Sequence, residues 1–212
     1  MLIIFALLII LTLLIMKNKE IQEERIKGYF IEAAKEMLKG EGLRSISVRN
    51  IAERAGYSYT TLYNYFKDLN ELIFLCVKDF QNECELFIKD ELKTEPRGIE
   101  KIKAITNAYI KYFVQYPGIF ELFYIEKISN IGSKQPTTEL ICTFLDRLCM
   151  EEWEYCVKQN ITSTEEADVY MKQLRYTVAG MLLLYLNRLQ PMDYKEFIAL
   201  ADVQLNQILN KQ

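Results

Sequence analysis

Glycine and proline, the residues that most often make tight turns, are scarce in this chain: 8 and 4 of 212 residues. Architectures that need many closely spaced turns, such as β-sandwiches and barrels, are therefore disfavoured, and long helices are favoured. Half of the residues are apolar and 26% are charged, which is enough for one or two globular domains. We expect an all-α fold.

Histidine is absent from the sequence. Its absence removes the commonest general base, the Ser-His and Cys-His nucleophile pairs and imidazole metal sites. Carboxylates are numerous after Leu92, but no pair is marked by its spacing as an acid and a base. We therefore expect no enzymatic activity, no metal and no cofactor.

The five cysteines are odd in number and include no CxxC pair, and no clear secretion signal precedes them. This pattern is typical of a reducing cytoplasm, which is the location that we predict. Cys142, Cys149 and Cys156 recur every seven residues and so are expected on one helix face, about 10 Å apart, too far for one metal ion. We interpret them as small buried packing residues, with thiol sensing as the alternative.

The chain begins with an uncharged apolar run over residues 1–15. As a helix it would span about 22 Å, short of the roughly 30 Å hydrocarbon core of a bilayer. It also lacks the basic start and the small-residue cleavage site of a signal peptide. We interpret residues 1–16 as an apolar extension, with a mis-assigned gene start preferred and a membrane tether as the alternative.

Two short capped helices are predicted after a first amphipathic helix over 20–39. Ser47 can cap a helix through Arg54, Gly56 supplies a tight turn, and Ser58 can cap the next helix. This arrangement indicates a three-helix helix-turn-helix domain over residues 17–67.

A longer helical domain is predicted over residues 68–212. Asp68, with Glu71 three residues later, forms a capping-box-like start for the first of its helices. The predicted helices of this domain cover 68–92, 99–115, 118–129, 138–158, 164–189 and 194–209.

Charge is distributed unevenly between these two parts. Residues 17–67 contain 10 lysines and arginines against 7 acidic residues, whereas residues 68–212 contain 16 against 22. A polyanionic partner is therefore expected to meet the first third of the chain.

Residues 27–72 resemble the TetR family of bacterial transcriptional regulators. The residues that carry the resemblance are Lys27, Phe30, Ile31, Ala33, Ala34, Gly42, Ser47, Ile51, Ala52, Ala55, Gly56 and the recognition-helix segment 58–66. Tyr57 stands where a smaller apolar residue is common, and Leu69 where the family often has a phosphate-contacting lysine. The resemblance implies a DNA-binding helix-turn-helix followed by a helical ligand-binding and dimerisation domain.

The predicted DNA-contacting residues surround the second short helix. A recognition helix presents short side chains to base edges in the major groove and holds its register through phosphate contacts. Tyr59, Thr60 and Thr61, at the start of this helix, are predicted to address bases. The full predicted set is Arg44, Ser47, Arg49, Ser58, Tyr59, Thr60, Thr61, Tyr63, Tyr65 and Lys67. The alternative, which we expect for one or two of the tyrosines, is packing against neighbouring helices.

Aromatic residues are dense in the second domain, and such stripes form core more often than a ligand site. The resemblance nevertheless implies a small-molecule pocket in this region. The predicted lining is Tyr109, Phe113, Phe120, Tyr124, Cys149 and Trp153. Because charges are sparse around these positions, we expect an apolar or aromatic effector.

The last two predicted helices carry broad apolar stripes, of which one can face the protein's own core while the surplus needs a partner. The stripes consist of Val178, Met181, Leu182, Tyr185, Leu186 and Leu189, then Phe197, Ile198, Ala201, Leu205 and Ile208. We therefore expect a homodimer on a near-palindromic double-stranded DNA operator, most simply a repressor released by its effector. The alternative is a helical binding or adaptor protein without operator binding.

Overall fold

The computed structural model of the protein describes residues 2–92, 94–125 and 135–210, and the side chains of 16–92, 94–125 and 137–210. Within these ranges every regular element is helical, which confirms the all-α prediction. The helices are α1 (Leu2–Glu41), α2 (Val48–Ala55), α3 (Tyr59–Tyr63), α4 (Leu69–Glu91), α5 (Ile99–Gln115), α6 (Pro117–Phe120), α7 (Gln135–Cys142), α8 (Phe144–Lys158), α9 (Thr164–Leu186) and α10 (Tyr194–Leu209). A 3₁₀ turn covers Leu43–Ser45, and a π-helical turn covers Glu121–Ile125.

The chain forms two compact units, Met1–Cys76 and Val77–Gln212. The boundary between them lies within α4. The predicted division between residues 67 and 68 lies just before this helix begins.

The first unit is built from α1, α2, α3 and the start of α4. Phe30 of α1 is fully buried, and its ring meets the ring of Phe66 edge-on at 6.1 Å. Ile51 of α2 and Leu62 of α3 are also fully buried. The first helix begins at Leu2 rather than at the predicted Glu20, because no glycine or proline interrupts the sequence between these residues.

In the second unit, α5 packs against α6, α8, α9 and α10. The predictions for 99–115 and 194–209 are confirmed to the residue. The predicted single helix over 138–158 is wrong, because α7 ends at Cys142 and α8 starts at Phe144. At this break the hydroxyl of Thr143 donates to the carbonyl of Glu139 at 2.8 Å. A hydrogen bond of this kind from a side chain to the carbonyl four residues earlier often bends a helix.

The predicted helix over 118–129 also differs from the structure. The structure has the four-residue α6 followed by a π-helical turn, and residues 126–129 of the prediction lie outside the described residues. The ninth helix ends at Leu186, before the predicted residue 189, where Arg188 adopts a positive φ of 55°.

A buried carboxylate ties α8 to the start of α5. The side chain of Glu152 is only 2% exposed and accepts a hydrogen bond from Gly98 N at 2.8 Å. The charged groups of Arg97 and Lys101 lie 3.3 and 3.2 Å from its oxygens. Burial raises the pKa of Glu152, but the hydrogen bonds from Gly98, Arg97 and Lys101 outweigh it, and the net pKa is lowered.

The last two helices bury most of their predicted stripes inside the chain's own core. The buried members are Val178, Leu182, Phe197, Ala201, Leu205 and Ile208. Apolar side chains on other faces of α9 and α10 remain exposed, among them Tyr176 at 72%. Among the residues whose side chains are described, no helix is long and apolar enough to cross a membrane.

Candidate nucleic-acid interface and effector site

Serine caps form the helix-turn-helix. Ser47 Oγ accepts a hydrogen bond from Asn50 N at 3.1 Å and thereby starts α2, as predicted. Gly56 closes α2 in the left-handed conformation, with a φ of 77°, which a side chain would strain. Ser58 Oγ accepts from Thr61 N at 3.1 Å and starts α3, so the predicted order of cap, turn and cap is confirmed.

The hydroxyls at the start of α3 form a small network. Ser58 Oγ lies 2.7 Å from Thr60 Oγ1 and 2.8 Å from Thr61 Oγ1. The hydroxyls of Ser47 and Ser58 therefore already cap the backbone, whereas that of Thr61 meets only Ser58. Of these side chains and Thr60, Ser58 and Thr60 are exposed.

Most of the predicted DNA-contacting side chains face solvent. The exposed ones are Arg44, Arg49, Ser58, Tyr59, Thr60, Tyr63 and Lys67, whereas Ser47, Thr61 and Tyr65 are half-buried. Tyr59 and Tyr63 are 52% and 53% exposed, which is unusual for large aromatic residues. On the other side of α3, Leu62 is buried. The helix thus has one packed side and one open side, and its DNA contacts remain predictions.

Two nearby tyrosines pack rather than project. Tyr65 lies with its ring centroid 6.3 Å from that of Phe30. The ring centroid of Tyr57 lies 6.2 Å from that of Tyr29 and 5.4 Å from that of Phe30. The large residue at position 57, unusual for the pattern, is thus accommodated by the exposed Tyr29 beside it.

The cations around α2 and α3 differ in their partners. Arg54 forms salt bridges with Glu36 at 3.7 Å and Glu41 at 2.8 Å. Arg44, Arg49 and Lys67, by contrast, form no salt bridge with any residue that the structure describes. These three exposed cations are therefore available to a polyanion.

In the second unit, four of the six predicted ligand-lining residues form one aromatic cluster. The ring centroids of Tyr109 and Phe113 are 4.7 Å apart, those of Phe113 and Phe120 5.7 Å, and those of Phe120 and Tyr124 4.9 Å. Three of these residues are at most 1% exposed, so the cluster is core as the structure stands.

The polar end of this cluster is a pair of phenols. The hydroxyl oxygens of Tyr109 and Tyr124 are 2.6 Å apart. Burial, with Tyr124 beside it, raises the pKa of Tyr109 well above its ordinary value. Burial likewise raises the pKa of Tyr124 to about 12. Both phenols are therefore neutral at physiological pH and keep their protons as hydrogen-bond donors.

The other two predicted lining residues have different partners. Trp153 is buried and stacks on Tyr170 at 6.1 Å, and its Nε1 has no hydrogen-bond partner within the described chain. Burial raises the pKa of Cys149 to about 12, which makes its thiol unreactive. Cys142, which we expected on one helix face with Cys149 and Cys156, is exposed at the end of α7, because the chain breaks before α8.

Sequence reasoning missed a charged pair beside the phenols. A narrow crevice without room for a water molecule is lined by Tyr109, Tyr124, Leu145, Arg175, Val178, Ala179 and Leu182. Arg175 Nη2 lies 3.5 Å from Asp146 Oδ2. The expectation that charges are sparse around the predicted pocket therefore differs from the structure. The spacing of Arg175, Val178, Ala179 and Leu182 on one helix face was the available signal.

Residues 30–75 match the family described as bacterial regulatory proteins, tetR family. A TetR family transcription regulator from Marinobacter aquaeolei VT8 has a similar structure, with a TM-score of 0.60 at 14% identity over 88% of this chain and 97% of that one. The structure of the transcriptional regulator FadR from Bacillus subtilis in complex with stearoyl-CoA is similar as well, with a TM-score of 0.66 at 15% identity over 87% of this chain and 98% of that one. The fatty acid degradation regulator FadR from Bacillus halodurans has a TM-score of 0.65 at 15% identity over 86% of this chain and 94% of that one.

The described residues thus form an all-α fold, with a helix-turn-helix in the smaller amino-terminal unit and a larger second helical unit. The matched segment contains the core residues Phe30, Ile51 and Leu62 and both capping serines. The resemblance to the TetR family is confirmed for residues 30–75, which match the model of this family.

Proposed function

We propose that this protein is a cytoplasmic homodimeric repressor that binds a near-palindromic operator and is released from it by a small ligand with an apolar chain. The observation that carries the proposal is the open side of α3, where two tyrosines are about half exposed, in a helix-turn-helix that also has three exposed cations without salt bridges in the described chain. Large exposed aromatic side chains next to free cations are a feature of surfaces that bind a partner.

Base reading is assigned to the first turn of α3. Tyr59 and Thr60 are exposed there and have hydroxyls that can reach base edges in the roughly 12 Å wide major groove. Thr61 is half-buried and its hydroxyl meets Ser58, so its methyl group is the part left for bases. Tyr63 and Lys67, further along, are assigned to phosphates.

Dimerisation is assigned to the exposed apolar faces of α9 and α10. On α9, Val169, Tyr176 and Leu183 follow one another at intervals of seven and are 50%, 72% and 43% exposed. On α10, Leu200 and Val203 are 41% and 50% exposed. An apolar stripe of this length on two adjacent helices is typical of an isologous two-fold interface. A two-fold dimer sets its recognition helices about 34–36 Å apart, one turn of DNA, or a multiple of it.

The ligand that we propose contains a fatty acyl chain. The fold is similar to that of FadR from Bacillus subtilis, which was solved with stearoyl-CoA. The aromatic cluster is apolar enough to receive such a chain, but its rings are already packed against one another. Binding therefore has to rearrange the cluster, and a ligand that favours the rearranged state shifts the population away from the DNA-bound one.

The test is a gel shift with DNA from upstream of the protein's own gene, against a scrambled fragment of equal length. We expect a retarded band on the upstream fragment only, lost on addition of dodecanoyl-CoA. Tyr63→Ala should weaken binding, whereas Tyr194→Ala, at an exposed tyrosine at the start of α10, should not. Equal binding of both fragments would refute the operator, and a band insensitive to dodecanoyl-CoA would refute the acyl effector.

A further inference from the structure

The side chain of Tyr29, on α1, is open to solvent. It is 55% exposed, as much as Tyr59 and Tyr63 of α3, although it lies on a different helix and outside the predicted set of DNA contacts. Its hydroxyl has no hydrogen-bond partner among the residues that the structure describes. This phenol is therefore free to donate to a partner outside the chain.

Ring contacts place Tyr29 beside the turn of the helix-turn-helix. Its ring stacks on that of Tyr57, with the centroids 6.2 Å apart and the planes 24° from parallel. Tyr57 lies between α2 and α3, directly before Ser58, which caps α3. The next residue of α1, Phe30, contacts Tyr57 and also Phe66, just after α3. This part of α1 thus packs behind α3, with Tyr29 toward the end where α3 begins.

That position corresponds to the edge of the DNA groove rather than to its floor. The first side chains of a recognition helix reach base edges, and the sugar-phosphate strands border the groove, which is roughly 12 Å wide. A side chain beside the turn that leads into this helix therefore meets phosphate oxygens before it meets bases. Phosphate oxygens accept hydrogen bonds from tyrosine hydroxyls, and such contacts fix how a protein sits on the duplex. The ring of Tyr57 already holds that of Tyr29, which reduces the freedom lost on binding.

A free cation lies one helical turn before Tyr29. Arg25 is four residues earlier on α1, and side chains at this spacing share a helix face. It is exposed and forms no salt bridge with any residue whose side chain the structure describes. The acids on either side, Glu24 and Glu32, each pair with a lysine of α1, at 3.4 and 2.9 Å. This face therefore offers a phenol and an unpaired guanidinium to an anionic partner.

We propose that the DNA-binding surface includes this face of α1. The hydroxyl of Tyr29 donates to a backbone phosphate at the edge of the groove that α3 enters, and Arg25 pairs with a neighbouring phosphate. The inference rests on the proposed function, because it extends the surface that binds the operator. Both contacts are to the backbone, so they add affinity and fix orientation without reading bases.

The first test removes only the hydroxyl. The DNA is the sequence that the wild type enriches from random double-stranded DNA, labelled for fluorescence anisotropy. Tyr29→Phe keeps the ring and its stacking on Tyr57, and a lost hydrogen bond to a charged acceptor corresponds to about 10-fold in affinity. With two copies in a dimer, binding should weaken about 100-fold. Tyr194→Phe is the matched control, at an exposed tyrosine of α10, and should bind like the wild type.

The second test separates the charged contact from the uncharged one. Arg25→Gln should lower the slope of log affinity against log salt concentration by about 0.9 per copy, or about 1.8 for a dimer. Tyr29→Phe removes no charge and should keep the wild-type slope. Lys172→Gln, at a cation that pairs with Asp168 in the second unit, should also keep it.

The third test locates the phosphate. Each phosphate of one half-site is replaced in turn by an uncharged methylphosphonate, and the affinities of the wild type and Tyr29→Phe are compared. At the phosphate that Tyr29 contacts, the losses from the two changes should not add, because both remove the same hydrogen bond. If Tyr29 only supported the packing of Tyr57, the losses would add at every phosphate.

Wild-type affinity of Tyr29→Phe, or additive losses at every phosphate, would overturn the inference and leave the operator proposal standing. An unchanged salt slope in Arg25→Gln would overturn it as well. If the wild type enriches no sequence from random DNA, the operator proposal fails and the inference fails with it.

Discussion

Lys67→Ala should reduce the salt dependence of operator binding. The size of the reduction depends on how many subunits contact the operator. Lys67 is exposed, and its cation forms no salt bridge within the described chain. Its backbone N–H donates to Glu71 at 2.7 Å and is kept in the variant, so the start of α4 should survive the substitution. The expected effect is therefore the loss of a phosphate contact alone.

The magnitude follows from counterion release. Each phosphate contact contributes about 0.9 to the slope of log affinity against log salt concentration, and a two-fold dimer carries two copies of Lys67, so the slope should fall by about 1.8. Between 50 and 200 mM KCl the affinity ratio of wild type to variant should then shrink about 12-fold. With one contact per complex, the affinity ratio should shrink by only about 3.5-fold.

The assay is fluorescence anisotropy of a labelled operator fragment at several KCl concentrations. Lys172→Ala is the control, because this lysine lies in the second unit and already pairs with Asp168 at 2.6 Å. Its slope should equal that of the wild type. An unchanged slope in Lys67→Ala would refute the phosphate contact assigned to this residue.

Three other outcomes follow from the structure. Ser47→Ala should destabilise the first unit by about 1 kcal/mol by urea unfolding, because α2 loses its cap, while Ser47→Thr should lose far less. Glu152→Gln should lower stability by about 1.5–3 kcal/mol at pH 7, since its two cationic partners lose their charged acceptor. The pKa of Glu152 is lowered on folding, so the stability difference between wild type and Glu152→Gln should be complete above pH 4.5. It should vanish as the pH falls through the pKa of Glu152 in the folded protein. Urea titrations at pH 7 and pH 3 compare the two conditions. Leu183→Asp should shift the mass measured by light scattering toward the monomer, whereas Leu86→Asp, at another exposed leucine, should not.

Local features of the fold could be predicted because their signals lie within a few residues. Ser47 and Ser58 cap helices through groups three positions away, and Asp68 Oδ1 accepts from Glu71 N at 2.9 Å over the same spacing. The break after Cys142 was missed because a side-chain hydrogen bond at Thr143, rather than a glycine or proline, marks it.

The candidate effector site was predicted only in part, because it depends on which helices meet. Aromatic density indicated that Tyr109 and Tyr124 share a core, but not that their hydroxyls touch. Nothing near Arg175 in the sequence shows that it meets Asp146 from another helix. Trp153 was grouped with the cluster by its aromatic character, whereas the packing of α8 places it on Tyr170.

Selection from random double-stranded DNA tests most directly whether this protein is a dimeric, sequence-specific regulator. Purified protein is carried through repeated rounds of binding, and the affinity of the enriched sequence is then compared with that of the starting pool at fixed salt. We expect a near-palindrome with half-sites one or more helical turns apart, bound at least about 10³-fold more tightly than random DNA. Failure to enrich any sequence, or equal affinity for the enriched and the starting DNA, would contradict the account.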